Sequence, residues 1–494
     1  MVISKSKLLT IAAIAVAAFA LFAFIGDAEE DSAATINDYS DNPILWIYGN
    51  SDGDHDIDAD DVAVIKAVIA AGGTVLTYPW CDANADLVID QEDVDFVQSM
   101  IDGTATELFY LNIDDKICSF TVRDHMNILS VNQCNLQTIN VLMNKDKQSK
   151  VVAGDQQINK YNRVFNLNFT DSKDPAKGVL VTGQKNGEVD DEIVLTLEKY
   201  YGHVEITLGN QSRYGQQLED SFGDDENISI VRLPSWESNT LEGLMTYGYL
   251  FGGVQKSSFW TQALAYYDWY MKYYSVIEEE VAKIPEADRP HILTMYVKDC
   301  FDGASNQVLS TTSGDYERSE LCGGNNVGDF FGTGYVNVTA EDMAACEAKK
   351  GIDIIYVEPS GVYGDGGKEY VTKSVQLCID EFKGYISEET KIYSLSFMVT
   401  TAAPSVVGYV CWAQTMFPDN AKFAKWNVDD VFEEYLALSG WTDRTDISDI
   451  VSYGPGYAKE SSSSGSNTIL YIVIAIVAII VIAGVAYFFT HKKP

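Results

Sequence analysis

Residues 254–284 read VQKSSFWTQALAYYDWYMKYYSVIEEEVAKI. Apolar side chains recur there at helical spacing: Phe259, Ala263, Tyr266, Tyr267, Tyr270, Tyr274, Ile277, Val281 and Ile284. Gly252 and Gly253 precede the run and Pro285 ends it. The pattern predicts one helix, about 45 Å long at 1.5 Å per residue. On its N-terminal side, strand-like runs at 126–131, 179–182, 204–208 and 228–233 alternate with helical stretches at 137–143, 192–201, from 216, and at 241–251. On its C-terminal side, strands are predicted at 291–297, 352–357 and 392–398, with helices at 341–349, 369–382, 406–417 and 427–438. Alternating strands and helices imply parallel sheets with right-handed crossovers. The fold class is therefore α/β, with two lobes joined by one long helix and a cleft between them. The same pattern also admits a buried helix inside one large domain.

The chain's 494 residues suffice for two to four domains, and 46% of them are hydrophobic. Net charge is −38, from 72 acidic and 34 basic residues, which argues against nucleic acid and against polybasic membrane docking. The ends suggest an address. Residues 1–26, with Lys5 and Lys7 before an apolar run, read as a signal peptide or an uncleaved anchor. Residues 468–489 are 22 apolar or small residues without a charge, enough for a transmembrane helix, and His491, Lys492 and Lys493 follow. The expectation is a cell-surface protein with its body outside, a Ser-rich linker at 459–467, and a short cytoplasmic C-terminus. Sequons begin at Asn168, Asn210, Asn227 and Asn337. Eight cysteines include no CxxC pair; Cys300 and Cys322 flank a loop and are the best pairing for a bridge.

Residues 50–61, NSDGDHDIDADD, and 82–93, DANADLVIDQED, fall in step when aligned on Ile57 and Ile89. Oxygen side chains then occupy loop positions 1, 3, 5, 9 and 12: Asn50, Asp52, Asp54, Asp58 and Asp61, then Asp82, Asn84, Asp86, Asp90 and Asp93. Asp56 and Val88 stand at position 7, which supplies a backbone carbonyl. This spacing wraps oxygen ligands round Ca²⁺. Over residues 46–103 the pair resembles the duplicated calcium repeats of type I dockerin domains. The resemblance implies two structural Ca²⁺ sites and a cohesin-type partner. The usual Gly at position 6 is replaced by His55 and Leu87, which strains the turn.

A β-rich connector, 104–123, leads into the body. Over residues 118–445 the order of elements, with LPSWESNTLEGL before the long helix and FPDNAKFAKWNVDDVFEEYL at the end, resembles the helical-backbone (class III) substrate-binding proteins of ABC importers. The resemblance implies two Rossmann-like lobes, at 124–253 and 285–458, an importer permease as partner, and a large chelate ligand such as a ferric siderophore, haem or corrinoid. In open α/β sheets ligands sit beyond the carboxyl ends of the strands. Loops there carry Asn132, Gln133, Gln184, Lys185, Arg213, Tyr214 and Trp236 in the first lobe, and Tyr316, Arg318, Tyr363, Met398 and Trp412 in the second. Arginine pairs with carboxylate or phosphate, and aromatic rings stack on planar ligands. None of the five histidines falls on these loops, which disfavours a bare transition-metal site. No HExxH or GxSxG occurs, and GVYGDGGKE at 361–369 has the wrong spacing for a phosphate loop. No catalytic residue is assigned. The alternative function is a structural or adhesive surface protein, with an extracellular enzyme ranked last.

Overall fold

The computed structural model describes residues 35–440, apart from 147, 157, 159–166, 184–187, 210–211, 237, 300–304 and 360–366; at 212–214, 367–372 and 397–398 it describes the backbone alone. The predicted segments 1–26, 459–467 and 468–489 lie outside the described residues. Among those described, no helix is long and apolar enough to cross a membrane.

Two loop–helix units come first, ending in α1 (Ala59–Ala70) and α2 (Gln91–Ile101). A hairpin follows, β1 (Glu107–Leu111) against β2 (Ile117–Thr121). The first lobe then runs β3 (Asn127–Ser130), α3 (Gln133–Met143), β4 (Lys150–Asp155), β5 (Phe169–Thr170), β6 (Val179–Thr182), α4 (Asp191–Tyr201), β7 (Val204–Leu208), α5 (Ser212–Phe222), β8 (Ile228–Arg232) and α6 (Thr240–Gly252). Its sheet is wholly parallel, in the order β5-β6-β4-β3-β7-β8. Chain order reverses across β3, so the crevice opens at the carboxyl ends of β3 and β7. Strand β4 escapes the periodicity because only Val151, Val152 and Ala153 are apolar; its place between β3 and β6 makes it a strand.

The linking helix is α7 (Ser258–Val281). It is shorter than the predicted 254–284, about 36 Å at 1.5 Å per residue. The chain turns sharply between α6 and α7, where Lys256 has φ 50° and a Cβ on Gly252 would lie 2.1 Å from Ser257 Oγ. The second lobe follows: β9 (His291–Tyr296), β10 (Gln307–Leu309), α8 (Gly314–Leu321), β11 (Asn325–Asn326), β12 (Tyr335–Asn337), α9 (Ala340–Lys350), β13 (Ile354–Val357), α10 (Gly367–Phe382), β14 (Lys391–Ser394), the single turn α11 (Phe397–Thr400), α12 (Ser405–Met416) and α13 (Val428–Ser439). This sheet is mixed, not parallel as expected. β9, β13 and β14 run together, while β10 joins β9 and β12 antiparallel.

Helix α7 packs against α3 and α6 of the first lobe and α12 and α13 of the second. Phe259, Ala263, Tyr266, Tyr270, Ile277 and Val281 are buried as the periodicity predicts; Trp260, Trp269 and Tyr273 are buried too, because helices cover more than one face. One continuous apolar core runs from the loop–helix units through α7 to α13. The N-terminal units are therefore not a free module. Trp46 N–H donates to Thr246 Oγ1 (2.9 Å), and Tyr110 of the hairpin donates to the Ile230 carbonyl (3.2 Å).

Trp412 belongs to this core and not to a cleft. It is fully buried, 6.2 Å from the Tyr409 ring and 6.1 Å from that of Tyr356. A helix surrounded by others buries all its faces, so its Trp marks packing. Trp412→Ala should lower unfolding free energy by about 3–5 kcal/mol, read from the denaturation midpoint at unchanged slope. A loss under about 1 kcal/mol would return Trp412 to a surface.

Candidate functional site

The loops at the carboxyl ends of the two sheets meet one another. Helix α8 carries Arg318, fully buried, whose Asp315 partner sits one turn earlier and is equally buried. The guanidinium donates to Asp315 and, across the lobe boundary, to the Trp236 carbonyl after β8. Beside it Ser238 Oγ donates to Glu317 (2.7 Å), and Cys134 Sγ lies 3.9 Å from Thr401 Oγ1. Glu358, the first residue after β13, is fully buried beside Asp315, Arg318 and Thr400. Burial, then the Asp315 charge, raises its pKa well above the carboxylate range, against the pull of Arg318. Burial also pushes the Tyr409 hydroxyl up to about 12.

On the first-lobe side, β3 ends in Asn132 at φ 76°, a left-handed conformation uncommon outside glycine. Its side chain caps α3 by accepting from Cys134 N–H (2.9 Å). Gln133, Asn135 and Gln137 follow, all buried, and Asn135 receives the Ser130 hydroxyl (2.9 Å) and donates to Tyr247 (3.1 Å). Polar residues so deeply buried at a strand's carboxyl end, beside backbone strain, mark a site-like zone.

Of the twelve ligand-binding residues expected from sequence, Asn132, Gln133, Trp236 and Arg318 come together here. Trp236 is half-buried, and its carbonyl, not its ring, faces Arg318. Tyr316 is half-buried on α8, its hydroxyl pKa raised by burial and then by Glu320. Gln184, Lys185 and Tyr363 lie outside the described residues, and the side chains of Arg213, Tyr214 and Met398 are not described. Cys300 is likewise outside; Cys322, its expected partner, is fully buried with Cys411 in electrostatic reach. Arg318, expected from sequence as a ligand-binding residue, is engaged by Asp315 and the Trp236 carbonyl. Asp315, Glu358 and Thr401 were missed. Glu358 was legible as the residue directly after the strand IDIIYV.

A cavity of about 570 Å³ lies elsewhere, at the outer edge of the first sheet, lined by Thr170, Lys173, Gly183, Glu188 and Asp191 among others. It opens at the carboxyl ends of β5 and β6 and is lined by none of the meeting-loop residues named above, and we place the site by the chemistry at the meeting loops. A further buried carboxyl, Glu205, stands at the amino end of β7, its pKa raised by burial to about 8, and accepts from Asn127 N–H (2.6 Å).

The two acidic loops are near copies. Asp58 and Asp90 cap α1 and α2 with almost the same dihedrals, φ −146°, ψ −159° and φ −147°, ψ −160°, each in a capping box with Asp61 or Asp93. Asn50, Asp61, Asp82 and Asp93 are buried. Asp52, Asp54, Asp56, Asn84 and Asp90 are partly buried, while Asp58, Asp86 and Val88 are exposed. In loop 1, Ser51 N–H donates to Asp61 Oδ1 (2.6 Å) and Asp56 N–H to Asp54 (2.8 Å); in loop 2, Val88 N–H donates to Asp86 (2.8 Å). The position-6 strain is real only in loop 2, where Leu87 has φ 74°; in loop 1 the left-handed residue is Gly53 (φ 76°). As placed, no three acidic, His or Cys side chains among the described residues converge at coordination distance. The donor chemistry nevertheless fits a hard divalent cation, because oxygens are crowded, desolvated and largely without positive partners. Burial raises Asp52 to about 7 and Asp54 and Asp93 to about 6, and carries Asp61 well above the usual range.

No family model matches the chain, and no curated protein matches it. Among solved structures it is similar to the TroA-like periplasmic binding protein FepB from Veillonella parvula, at 14% identity over 67% of this chain and 95% of that one, TM-score 0.49. It is also similar to the molybdate periplasmic binding protein MolA from Haemophilus influenzae (15%, 67% and 97%, 0.45) and to an ABC-type Fe3+-hydroxamate transport system protein from Saccharomonospora viridis (15%, 63% and 98%, 0.40). None of these scores reaches 0.5. The α/β fold of two lobes and a linking helix rests on the strand orders above, and the side-chain readings rest on this chain alone.

Two outcomes are expected. Arg318→Ala leaves the buried Asp315 carboxylate without its cation and should cost about 3–5 kcal/mol in equilibrium unfolding. The loop carboxyls are more basic folded than unfolded, so between about pH 4 and 7 the folded form binds more protons. In chelator, the melting temperature of the chain should fall as pH rises through that window. Excess Ca²⁺ should abolish or invert the slope.

Proposed function

We propose that this chain is an extracellular solute-binding protein, tethered by its C-terminal segment, that presents a ligand to an importer permease. The supporting observation is the pair of sheets whose carboxyl ends meet around Arg318, Asp315 and Glu358, held by a single long helix. Ligands of open α/β sheets bind at that end of the strands. The step from fold to importer is analogy, because function lives in sites and not in folds. A large chelate such as a ferric siderophore, haem or corrinoid would have to displace the Trp236 carbonyl from Arg318, or enter beside it. An acidic group on the ligand suits that exchange. The acidic loops hold two structural Ca²⁺ ions in this reading. Asn168, Asn227 and Asn337 are exposed, which suits the cell surface.

A second reading has a specific observation behind it. Arg318, Glu317 and Cys134 fasten the lobes directly, as they would in an adhesive or structural surface protein that uses the N-terminal units to hold a cohesin-type partner.

A thermal-shift series with haem, a corrinoid and a ferric hydroxamate separates the two. A ligand at one hundred times its Kd adds about 2.7 kcal/mol and raises Tm visibly. Glu358→Gln should change the response to that ligand. If all three chelates leave Tm where it was, the binding-protein reading fails for this ligand class and the fastened scaffold stands.

A further inference from the structure

The two acidic loops share one pattern, yet the fold gives them different surroundings. His55 and Leu87 occupy the same loop position. The His55 ring lies flat against Tyr267 of α7, with centroids 4.4 Å apart and planes within 5° of parallel. Leu87 is 69% exposed. Loop 1 thus rests on the helix that joins the lobes, whereas the tip of loop 2, residues 86–88, faces solvent. The electrostatic contacts agree: after burial, the charge on Asp54 raises the Tyr267 hydroxyl pKa, and Asp61 and Asp56 raise that of Tyr249 on α6.

Loop 1 also holds an unused ligand atom. Asn50 is fully buried, its Nδ2 donates to the carbonyls of Leu45 and Asp54 (both 3.0 Å), and its Oδ1 has no partner. The equivalent residue of loop 2, Asp82, spends its oxygens on the Asp86 and Leu87 N–H groups (both 3.1 Å). A buried acceptor left unsatisfied is costly, and a cation among the carboxylates of Asp52, Asp54 and Asp61 would engage it.

We propose that the two loops differ in kind, and that a divalent cation in loop 1 braces the linking helix. Drawing Asn50 Oδ1 and the Asp54 carboxylate inward fixes the backbone on either side of His55. The imidazole is then held on Tyr267, and the middle of α7 is clamped. His55 is a positioning residue, not a ligand; its Nδ1 lies 3.8 Å from Asp54. Loop 2, with no such contact to α7, takes its cation without effect on the lobes. The proposal rests on the reading of the loops as cation sites and is independent of any solute.

Hydrogen exchange of the full chain in detergent, with calcium or with chelator, tests it, alongside a separate calorimetric calcium titration. In the wild type, calcium should slow amide exchange across residues 263–271 by roughly tenfold or more. His55→Ala should take up the same number of calcium ions while that response disappears. His55→Phe keeps an aromatic ring for Tyr267 and should retain the response. Calcium uptake with unchanged exchange at 263–271 overturns the brace, as does a full response in His55→Ala. No calcium uptake in the titration overturns the cation reading itself, and the brace with it.

Discussion

Everything in this molecule is hung on the burial of α7. Its aromatic band reaches the second lobe through Tyr270 to Tyr409 (6.2 Å), Trp269 to Tyr435 (5.8 Å) and Tyr273 to Trp426 (5.5 Å). Such pairs add roughly 0.5–1.5 kcal/mol each beyond the area they bury. Tyr266 adds a direct bond to the Ala403 carbonyl (2.8 Å). Toward the first lobe there is a close crossing as well. A Cβ on Gly248 of α6 would lie 2.4 Å from that of Ala263, so the two helices cross at a spot where only glycine fits. Beside that close crossing, Trp260 meets Tyr249 (5.1 Å) and Phe259 meets Phe251 (5.8 Å), so aromatic contacts tie the helix to both lobes.

The lobes so held touch at the carboxyl ends of their sheets through polar groups. A buried Arg318 between Asp315 and a neighbouring lobe's carbonyl is weak evidence for net stability, since desolvation offsets most of the Coulomb gain. It does specify geometry, because a guanidinium deprived of water has few acceptable arrangements. Beside it, burial and the Asp315 charge disfavour a second buried negative charge on Glu358. This juxtaposition ties the lobes together at that end through polar contacts.

Much of the fold was legible in the chain. The strands 179–182 and 204–208 have the bounds their patterns predict, and the linking helix falls inside its predicted span. The duplicated acidic loops were legible too, because oxygen spacing is local and appears twice in step. The candidate site was legible only in part. Asn132, Gln133 and Arg318 lie where loops follow strands, but whether each faces a ligand or a protein partner depends on groups far along the chain. Trp412 shows the limit: an aromatic residue on a predicted helix carries no mark of how many neighbours cover it.

Sequence by itself determined the helical and strand periods, the two lobes, the acidic charge and the paired loops, because each is written in residues close together. Tertiary structure decided the antiparallel edge of the second sheet, the β4 strand, the seating of loop 1 on Tyr267 and the meeting of Arg318 with Trp236. The reason is physical. Contacts such as Trp46 with Thr246, 200 residues apart, form only when the whole core closes, and no local pattern records them.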